Sequence, residues 1–277
     1  MIATRNRRGE LERSLGHLSA LPDVADIVVV DNGSTDGTQA FVRRAFPGVR
    51  LIELDDNRGA AARTLGVNAA GCEAVAFADD DSWWLPGSLA RAAGLLQHHR
   101  RIALVAGRVL VGPEASLDPT SRAMGNSPLP DLDGLPGVPV LGFVACGAVV
   151  RREAFLDVGG FRAGGIGGEE TLLAIDLASR GWALRYVDDV VARHFPSAHR
   201  DDAARAFAEV RNDLTTAWAR RPLPRAIRAT ARALRHAGDA PTRRALLRTA
   251  RELPSLVRSR RPAPAAVERQ LRLLERS

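Results

Sequence analysis

Residues 26–38, "DIVVVDNGSTDGT", contain a strand signal, a turn and the start of a helix. The continuous run of β-branched side chains over residues 27–30 is typical of a parallel strand that is buried on both faces. Glycine and small polar residues follow, and these favour a tight turn and a helix N-terminus. The next segment, "QAFVRRAF", predicts a helix that ends at Pro47 and Gly48. This stretch therefore predicts one strand–helix unit.

The same order repeats further along the chain. Segment 49–54 predicts a second strand and segment 59–71 a second helix. Segment 73–79, "EAVAFAD", predicts a third strand, which runs directly into Asp79, Asp80 and Asp81. Strands that alternate with helices indicate an α/β fold with a mostly parallel sheet. Because ligands bind at the carboxyl edge of such sheets, we expect the three aspartates to line a site.

The middle of the chain is less regular. Segments 101–111 and 182–187 predict strands, and segment 169–181 predicts a helix with acids in its first turn. The apolar run 138–150 has 13 residues. A membrane span needs about 20, so we interpret this run as a buried strand. Residues 112–137 are dense in Pro, Gly, Asp and Ser, and predict a long loop.

Composition excludes several kinds of chemistry. All 39 basic residues are arginine, so the lysine of a Walker-type nucleotide loop or of a pyridoxal enzyme is missing. Cys72 and Cys146 are the only cysteines and do not form a metal-binding spacing. Two thiols suit a reducing compartment, and the first residues show no signal-peptide pattern. We therefore expect a cytoplasmic protein.

Charge divides the chain in two. Residues 1–202 carry 21 Arg and 26 acids, a net of −5, whereas residues 203–277 carry 18 Arg and 6 acids, a net of +12. Phe207, Val210 and Leu214 mark one helical face in the second part, and short amphipathic segments follow. We therefore divide the chain into a mildly acidic domain over residues 1–202 and an Arg-rich helical tail over residues 203–277.

Three interpretations of the tail remain open. Its helices can pack against the body, or against a second copy of the chain in a homodimer. Alternatively, the arginines can attract an anionic membrane surface, which would make the protein peripheral at the inner face of the membrane. Nucleic acid is not an expected partner, because no aromatic platform or groove-reading motif accompanies the arginines.

Three adjacent carboxylates repel one another, and at the end of a buried strand that repulsion is poorly screened. Water, arginines or a metal ion can offset it. A hard divalent cation prefers carboxylate oxygens and often binds a protein through only one or two of them. The alternative is a polar turn at the strand end. Trp83 and Trp84 follow, and we expect them to pack in the core rather than stack on a ligand.

Seven stretches in this order resemble the family 2 glycosyltransferases, which have the GT-A fold, a Rossmann-like sheet flanked by helices. The resemblance covers residues 1–200 and not the tail. It is carried by "TRNR", "VVDNGSTDGT", "NRGAAARTLG", "FADDD", "CGAVVRREAFLDVGGF", "GEETLLAIDLASRGW" and the late His194.

The resemblance implies a divalent metal, Mg²⁺ or Mn²⁺, held by Asp81 and completed by His194. It also implies that a group of residues lines the pocket of a nucleotide-diphospho-sugar: Thr4, Asp31, Arg63, Asp79 and Asp80. The simpler alternatives are a helix cap or Asx turn at Asp31 and an exposed helical arginine at Arg63.

By the same resemblance, Glu170 is the general base and Glu169 its neighbour. The family commonly has a Glu-Asp pair here, so the base of this chain reaches about one methylene further. The alternative is a helix N-terminus decorated with acids. The glycines of "RAGGIGG" (162–168) are expected to form a loop that closes over the acceptor.

We thus expect a metal-dependent, inverting glycosyltransferase that transfers a sugar from a nucleotide-diphospho-sugar to an acceptor hydroxyl. The expected setting is the synthesis of a cell-envelope glycan, a glycolipid or a secondary metabolite. Two alternatives belong to other classes. One is a phosphatase with an aspartyl nucleophile, which normally needs a lysine. The other is a non-catalytic GT-A-like scaffold whose basic tail binds membrane or nucleic acid.

Overall fold

A computed structural model of the chain describes residues 1–161, 168–196 and 202–276. Its first half alternates strands and helices, as the sequence predicts. The elements are β1 Ile2–Thr4, α1 Arg8–Ser19, β2 Val28–Asp31, α2 Thr38–Ala45, β3 Arg50–Glu53, α3 Ala61–Ala69, β4 Ala74–Ala76, β5 Ser82–Trp84 and α4 Ser88–His98.

The remaining elements include two long strands and four helices at the C-terminal end. They are β6 Ile102–Val111, β7 Ser116–Leu117, α5 Pro119–Gly125, β8 Val138–Pro139, a 3₁₀ turn Ala145–Gly147, β9 Ala148–Arg151, α6 Arg152–Asp157, α7 Glu169–Ser179, β10 Ala183–His194, α8 Asp202–Arg220, α9 Leu223–Arg235, α10 Ala240–Arg258 and α11 Ala265–Leu274.

The strands form a mixed, mostly parallel arrangement. Strands β1, β2 and β3 pair in parallel in the order β1-β2-β3, and a second sheet has the order β4-β9-β6-β10-β5. A parallel bridge between Ile2 and Ala78 joins the two sheets beside β4. Strands β9 and β5 run antiparallel to their neighbours, whereas β6 and β10 are parallel. This is the predicted α/β class with a parallel-rich sheet.

Helices cover both faces of the sheets. One large core cluster joins Phe77 and Phe155 to apolar residues of α7, and a second joins α1, α4 and both tryptophans. Trp84 is buried and its indole Nε1–H donates to the Phe77 carbonyl at 3.0 Å. Trp83 is stacked between the rings of His17 and Phe195. The expectation that both tryptophans pack in the core is therefore confirmed.

Three local predictions are wrong. Residues 112–137 are not one long loop, because they contain β7 and α5; Asp118 caps α5 by accepting hydrogen bonds from Thr120 N and Ser121 N. Residues 138–150 do not form one strand, since β8 and the 3₁₀ turn precede β9. The last strand, β10, does not end near residue 187 but reaches His194.

The tail helices pack against the body through α7. Val267 and Leu271 of α11 belong to the same core cluster as Leu173 of α7. Arg220, at the end of α8, is buried and pairs with Asp176 of α7, with Nη2 at 2.8 Å from Oδ2. Within the described part of the chain, no helix has both the length and the apolarity needed to cross a membrane.

Candidate active site

The carboxyl ends of β1, β2 and β4 bring the predicted site residues together. Thr4 and Asp31 are register partners at the ends of β1 and β2, and both are buried. The hydroxyl of Thr4 donates to Asp80 Oδ2 at 2.9 Å. Because Asp80 follows β4, this hydrogen bond links the ends of neighbouring strands. The sheet edge thus positions the aspartates, as the α/β pattern predicts.

Arg7 contacts two of the three aspartates. Its Nε lies 3.0 Å from Asp80 Oδ1, and its Nη2 donates to Asp81 Oδ2 at 2.8 Å. Burial raises the pKa of Asp80 to about 7, although Arg7 and the Thr4 hydroxyl act in the opposite direction. One guanidinium therefore neutralises much of the charge at the strand end.

Arg63 of α3 holds the third aspartate. Its Nη2 donates to Asp79 Oδ1 at 2.6 Å. Burial disfavours the guanidinium charge, but the Asp79 carboxylate, with Glu170 and Glu169 nearby, raises the pKa of Arg63. Its Nε is buried and has no hydrogen-bond acceptor among the described residues. Arg63 therefore faces the site and is not the exposed helical arginine of the alternative interpretation.

His194 completes a compact ligand group. Its Nε2 lies 3.3 Å from Asp81 Oδ1, and one donor atom each from Asp79, Asp81 and His194 fit within 4.8 Å of one another. Although burial acts in the opposite direction on both groups, their contact raises the pKa of His194 and lowers that of Asp81. Two carboxylates and an imidazole suit a hard divalent cation such as Mg²⁺ or Mn²⁺. This geometry adds Asp79 to the ligand pair that the resemblance implies.

At the same sheet edge, one carboxylate oxygen of Asp31 accepts no hydrogen bond from any described residue. Its Oδ1 accepts from the Ser34 backbone N–H at 2.7 Å, as in an Asx turn, while Oδ2 is buried without a hydrogen-bond partner among the described residues. A buried carboxylate oxygen without a donor is costly, so a hydroxyl or N–H of a bound ligand would stabilise it. Asp31 can therefore accept a hydrogen bond from a ligand beside the acidic cluster.

Glu169 and Glu170 begin α7, and both carboxyl groups are close enough to Arg63 to raise its pKa. Burial raises the pKa of Glu170 above its ordinary value of 4.5, although backbone hydrogen bonds and Arg63 act in the opposite direction. A carboxylate with a raised pKa is a better proton acceptor near neutral pH. Of the predicted closing loop, only Gly168 is described; residues 162–167 lie outside the described part of the chain.

Arg7 is a site residue that was not predicted from the sequence. Its only signal is the second arginine of "TRNRR", and no short-range pattern joins it to residues 74 positions later. A cavity of about 350 Å³ opens near Val28 and Ala74, at the opposite end of these strands, and its lining is mainly apolar. It shares none of the acids 79–81, so we do not assign the site there.

A model of the glycosyl transferase family 2 matches residues 1–159, which is more than half of the chain. The chain belongs to this family. It is therefore a glycosyltransferase and neither a phosphatase nor a non-catalytic scaffold.

Two curated relatives are similar to this chain. The N-acetylglucosaminyl-diphospho-decaprenol L-rhamnosyltransferase of Mycobacterium tuberculosis (strain ATCC 25618 / H37Rv) is 29% identical over 257 residues, which cover 77% of this chain and 83% of that protein. The succinoglycan biosynthesis protein ExoU of Rhizobium meliloti (strain 1021) is 30% identical over 93 residues, 32% of this chain and only 27% of that protein.

Solved structures support the fold. The mannosyltransferase PcManGT from Pyrobaculum calidifontis, in complex with GDP-Man and Mn2+, has a TM-score of 0.62 at 22% identity and aligns over 99% of this chain and 84% of its own. TarS of S. aureus has a TM-score of 0.57 at 15% identity, over 93% and 54%. At these identities the likeness concerns the fold, and it confirms the GT-A class.

Proposed function

We propose that this glycosyltransferase moves a sugar from a nucleotide-diphospho-sugar to an acceptor hydroxyl by a metal-dependent, inverting displacement. One observation carries the proposal: Asp79, Asp81 and His194 gather their donor atoms within 4.8 Å at the carboxyl edge of the sheet. A mannosyltransferase of the same fold binds GDP-Man and Mn2+, which supports a donor and an ion of these kinds here.

Donor binding uses the residues around the cluster. Asp31 Oδ2 would accept a hydrogen bond from the base or ribose, because it is buried and has no donor among the described residues. Thr4 and Asp80 would face the ribose and the sugar. A divalent ion held by Asp79, Asp81 and His194 would neutralise the diphosphate as it leaves, and Arg63 would add a fixed positive charge beside it.

Glu170 would act on the acceptor. Its carboxylate removes the hydroxyl proton while the acceptor oxygen attacks the anomeric carbon from the face opposite the diphosphate. The new C–O bond forms as the bond to the diphosphate oxygen breaks, and the diphosphate leaves with that electron pair. A single displacement of this kind inverts the anomeric configuration.

The acceptor is proposed from the relatives. One is named for a diphospho-decaprenol acceptor and another for succinoglycan biosynthesis. These names support a role in the assembly of a cell-envelope glycan or glycolipid; a secondary-metabolite acceptor would use the same chemistry. We further propose that the protein works in the cytoplasm.

Thermal unfolding tests the donor and metal requirements together. A nucleoside diphosphate at about 100 times its Kd should stabilise the folded protein by about 2.7 kcal/mol, seen as a rise in Tm. We expect GDP, UDP or TDP to raise Tm with Mn²⁺ present and to lose most of the effect in EDTA. If none of the three changes Tm with either Mn²⁺ or Mg²⁺, the proposed function is wrong.

A further inference from the structure

Helix α9 exposes an apolar stripe that the fold does not use. Leu223, Ile227 and Leu234 are 50%, 54% and 59% exposed, and their spacing of four and seven residues places them on one side of the helix. Another side packs inward, where Ala226 is buried and Thr230 accepts a hydrogen bond from Trp218 Nε1 at 3.0 Å. The helix therefore has one apolar face for the body and a second that meets solvent.

Arg228 and Arg235 lie roughly a quarter-turn or slightly more around α9 from the exposed stripe, and Arg232 lies nearly opposite it. Arg228, Arg232 and Arg235 are all exposed, and Arg228 and Arg235 form no ion pair with any described residue. Glu268 pairs with Arg221 and Glu252 pairs with Arg211, while Asp213 lies close enough to Arg232 for their charges to interact. The inner arginines thus stabilise the helical bundle, while Arg228 and Arg235 keep a positive charge that no ion pair with a described residue offsets.

Helix α10 has a similar outer surface. Leu247 and Val257 are exposed large apolar residues, and Arg251 and Arg258 are exposed on the same helix. Apolar side chains flanked by arginines match the requirements of an interfacial helix, which inserts the former among acyl chains and brings the latter to phosphates. A nucleic acid would use the charge but not the apolar stripe.

We propose that α9 docks on an anionic lipid surface, with Leu223, Ile227 and Leu234 inserted and the neighbouring arginines at the headgroup phosphates. This surface lies outside the catalytic machinery, so the proposal is independent of the donor and the metal. It brings the enzyme to the inner face of a membrane, where a lipid-linked acceptor would be available.

Vesicle co-sedimentation of the full-length protein tests the proposal. The probes are phosphatidylcholine vesicles with and without phosphatidylglycerol, at low and at high salt. We expect binding only to the anionic vesicles, weakened by salt. Changing Arg228 and Arg235 together to Gln should weaken it about 25-fold, since each basic residue near the surface contributes about fivefold.

Matched variants elsewhere in the chain control for general effects. Arg100 and Arg122 are exposed on the body, and their replacement by Gln makes the same change in net charge. Leu132→Ser, at a side chain 84% exposed, is the control for Ser at Leu223, Ile227 and Leu234. Circular dichroism and Tm check that each variant is folded.

Two results would overturn the proposal. One is a full-length protein that ignores anionic vesicles at low salt; the other is equal weakening by the α9 and control double variants. If light scattering instead shows a dimer that Ser at Leu223, Ile227 and Leu234 converts to a monomer, without vesicle binding, the stripe is an interface between copies of this chain.

A second inference comes from the ion pairs of Arg7 and rests on the proposed function. Arg7 bridges Asp80 and Asp81, and Asp81 belongs to the proposed metal-ligand group. Its side chain is partly exposed, so it has room to change partners. A guanidinium and a divalent ion repel each other when they share one carboxylate. Phosphate oxygens are a better partner for the displaced guanidinium, because they accept its parallel N–H donors.

We infer that Arg7 couples metal binding to donor binding. It holds Asp81 when no donor is bound, which weakens binding of the ion alone, and it turns to the diphosphate when donor and ion bind together. Arg7 is thus a positioning residue. Its effect is the difference between the affinity for the ion alone and the affinity for the ion when the donor is also bound. A residue that only orients Asp81 would instead strengthen metal binding in both situations.

Electron paramagnetic resonance of free Mn²⁺ measures both affinities without turnover. We expect Arg7→Met to tighten binding of Mn²⁺ alone about tenfold, a typical coupling between neighbouring charges, and to reduce the further gain conferred by GDP or UDP. Arg5→Met, at an exposed arginine in the same loop, is the charge-matched control.

The results for wild-type protein and for Arg7→Met distinguish an incorrect role of Arg7 from an incorrect metal site. If wild-type protein binds Mn²⁺ with a nucleoside diphosphate, but Arg7→Met leaves Mn²⁺ affinity unchanged or lower, only the role of Arg7 is wrong. If wild-type protein binds no Mn²⁺ in either condition, the proposed metal site itself is wrong.

Discussion

Replacing Glu170 with Gln is expected to lower turnover by about 10²–10⁴ while donor binding stays intact, which is the usual contribution of a general base. Glutamine keeps the size and most hydrogen bonds of the side chain but cannot accept the acceptor's proton. The measurements are steady-state kinetics for turnover and calorimetry for binding of the nucleoside diphosphate with Mn²⁺.

Glu169→Gln is the matched control, since the neighbouring acid also begins α7 and also acts on the charge of Arg63. We expect it to retain turnover within about tenfold, because the change removes a nearby charge and not the proton acceptor. If Glu169→Gln abolishes turnover and Glu170→Gln does not, the two roles must be exchanged.

The pH dependence of turnover supplies an independent check on Glu170. Because burial raises the pKa of this carboxyl above 4.5, the base is lost as pH falls through the raised value. Turnover should therefore decline on the acid side at a pH above 4.5, and the residual activity of Glu170→Gln should not follow that limb.

The sequence predicts the local units of this fold well because their signals are short-range. Strand β2, helix α2 and the aspartates after β4 each follow from periodicity and turn chemistry within about ten residues. The start of α5 has an equally local signal, because an aspartate followed by a proline, as at Asp118 and Pro119, is frequent at helix N-termini. The polar composition of the surrounding residues nevertheless predicts a loop.

The end of β10 was not predictable from its pattern. The register against β6 moves from Val187 opposite Gly107 directly to Val191 opposite Arg108, so residues 188–190 form an irregularity. Asp188 and Asp189 are exposed there, and two consecutive acids resemble a turn. The strand nevertheless continues and carries His194 to the sheet edge, where it meets Asp81.

The charge balance at the site depends on tertiary structure in the same way. Arginine is one of three candidates to offset the negative charge of the aspartates. The chain has 39 arginines, and no sequence pattern indicates which of these arginines contact the aspartates. The fold selects two: Arg7, because β1 and β4 end side by side, and Arg63, because α3 packs against β1 and β2. Such pairings depend on strand order, which a local pattern does not encode.

Replacing Asp81 with Asn should abolish the part of nucleotide binding that depends on metal while leaving the fold intact. Of the three adjacent aspartates, Asp81 is the one that contacts both His194 and Arg7, and its carboxylate supplies the charge that a hard cation requires. Loss of a group that merely orients a metal ligand costs about 10–10²-fold in affinity, so loss of a ligand itself should cost more.

Calorimetry with GDP or UDP, in Mn²⁺ and then in EDTA, separates the two contributions to binding. For Asp81→Asn we expect the Mn²⁺ and EDTA titrations to coincide, because Asp31, Thr4 and Arg63 still meet the nucleotide but the ion is no longer held. Asp189→Asn is the control: it is the same chemical change at an exposed residue of β10 that pairs with Arg91. Unchanged metal-dependent affinity in Asp81→Asn, with Tm also unchanged, would mean that Asp79 and His194 hold the ion without it, and the ligand group would have to be redrawn around Asp79.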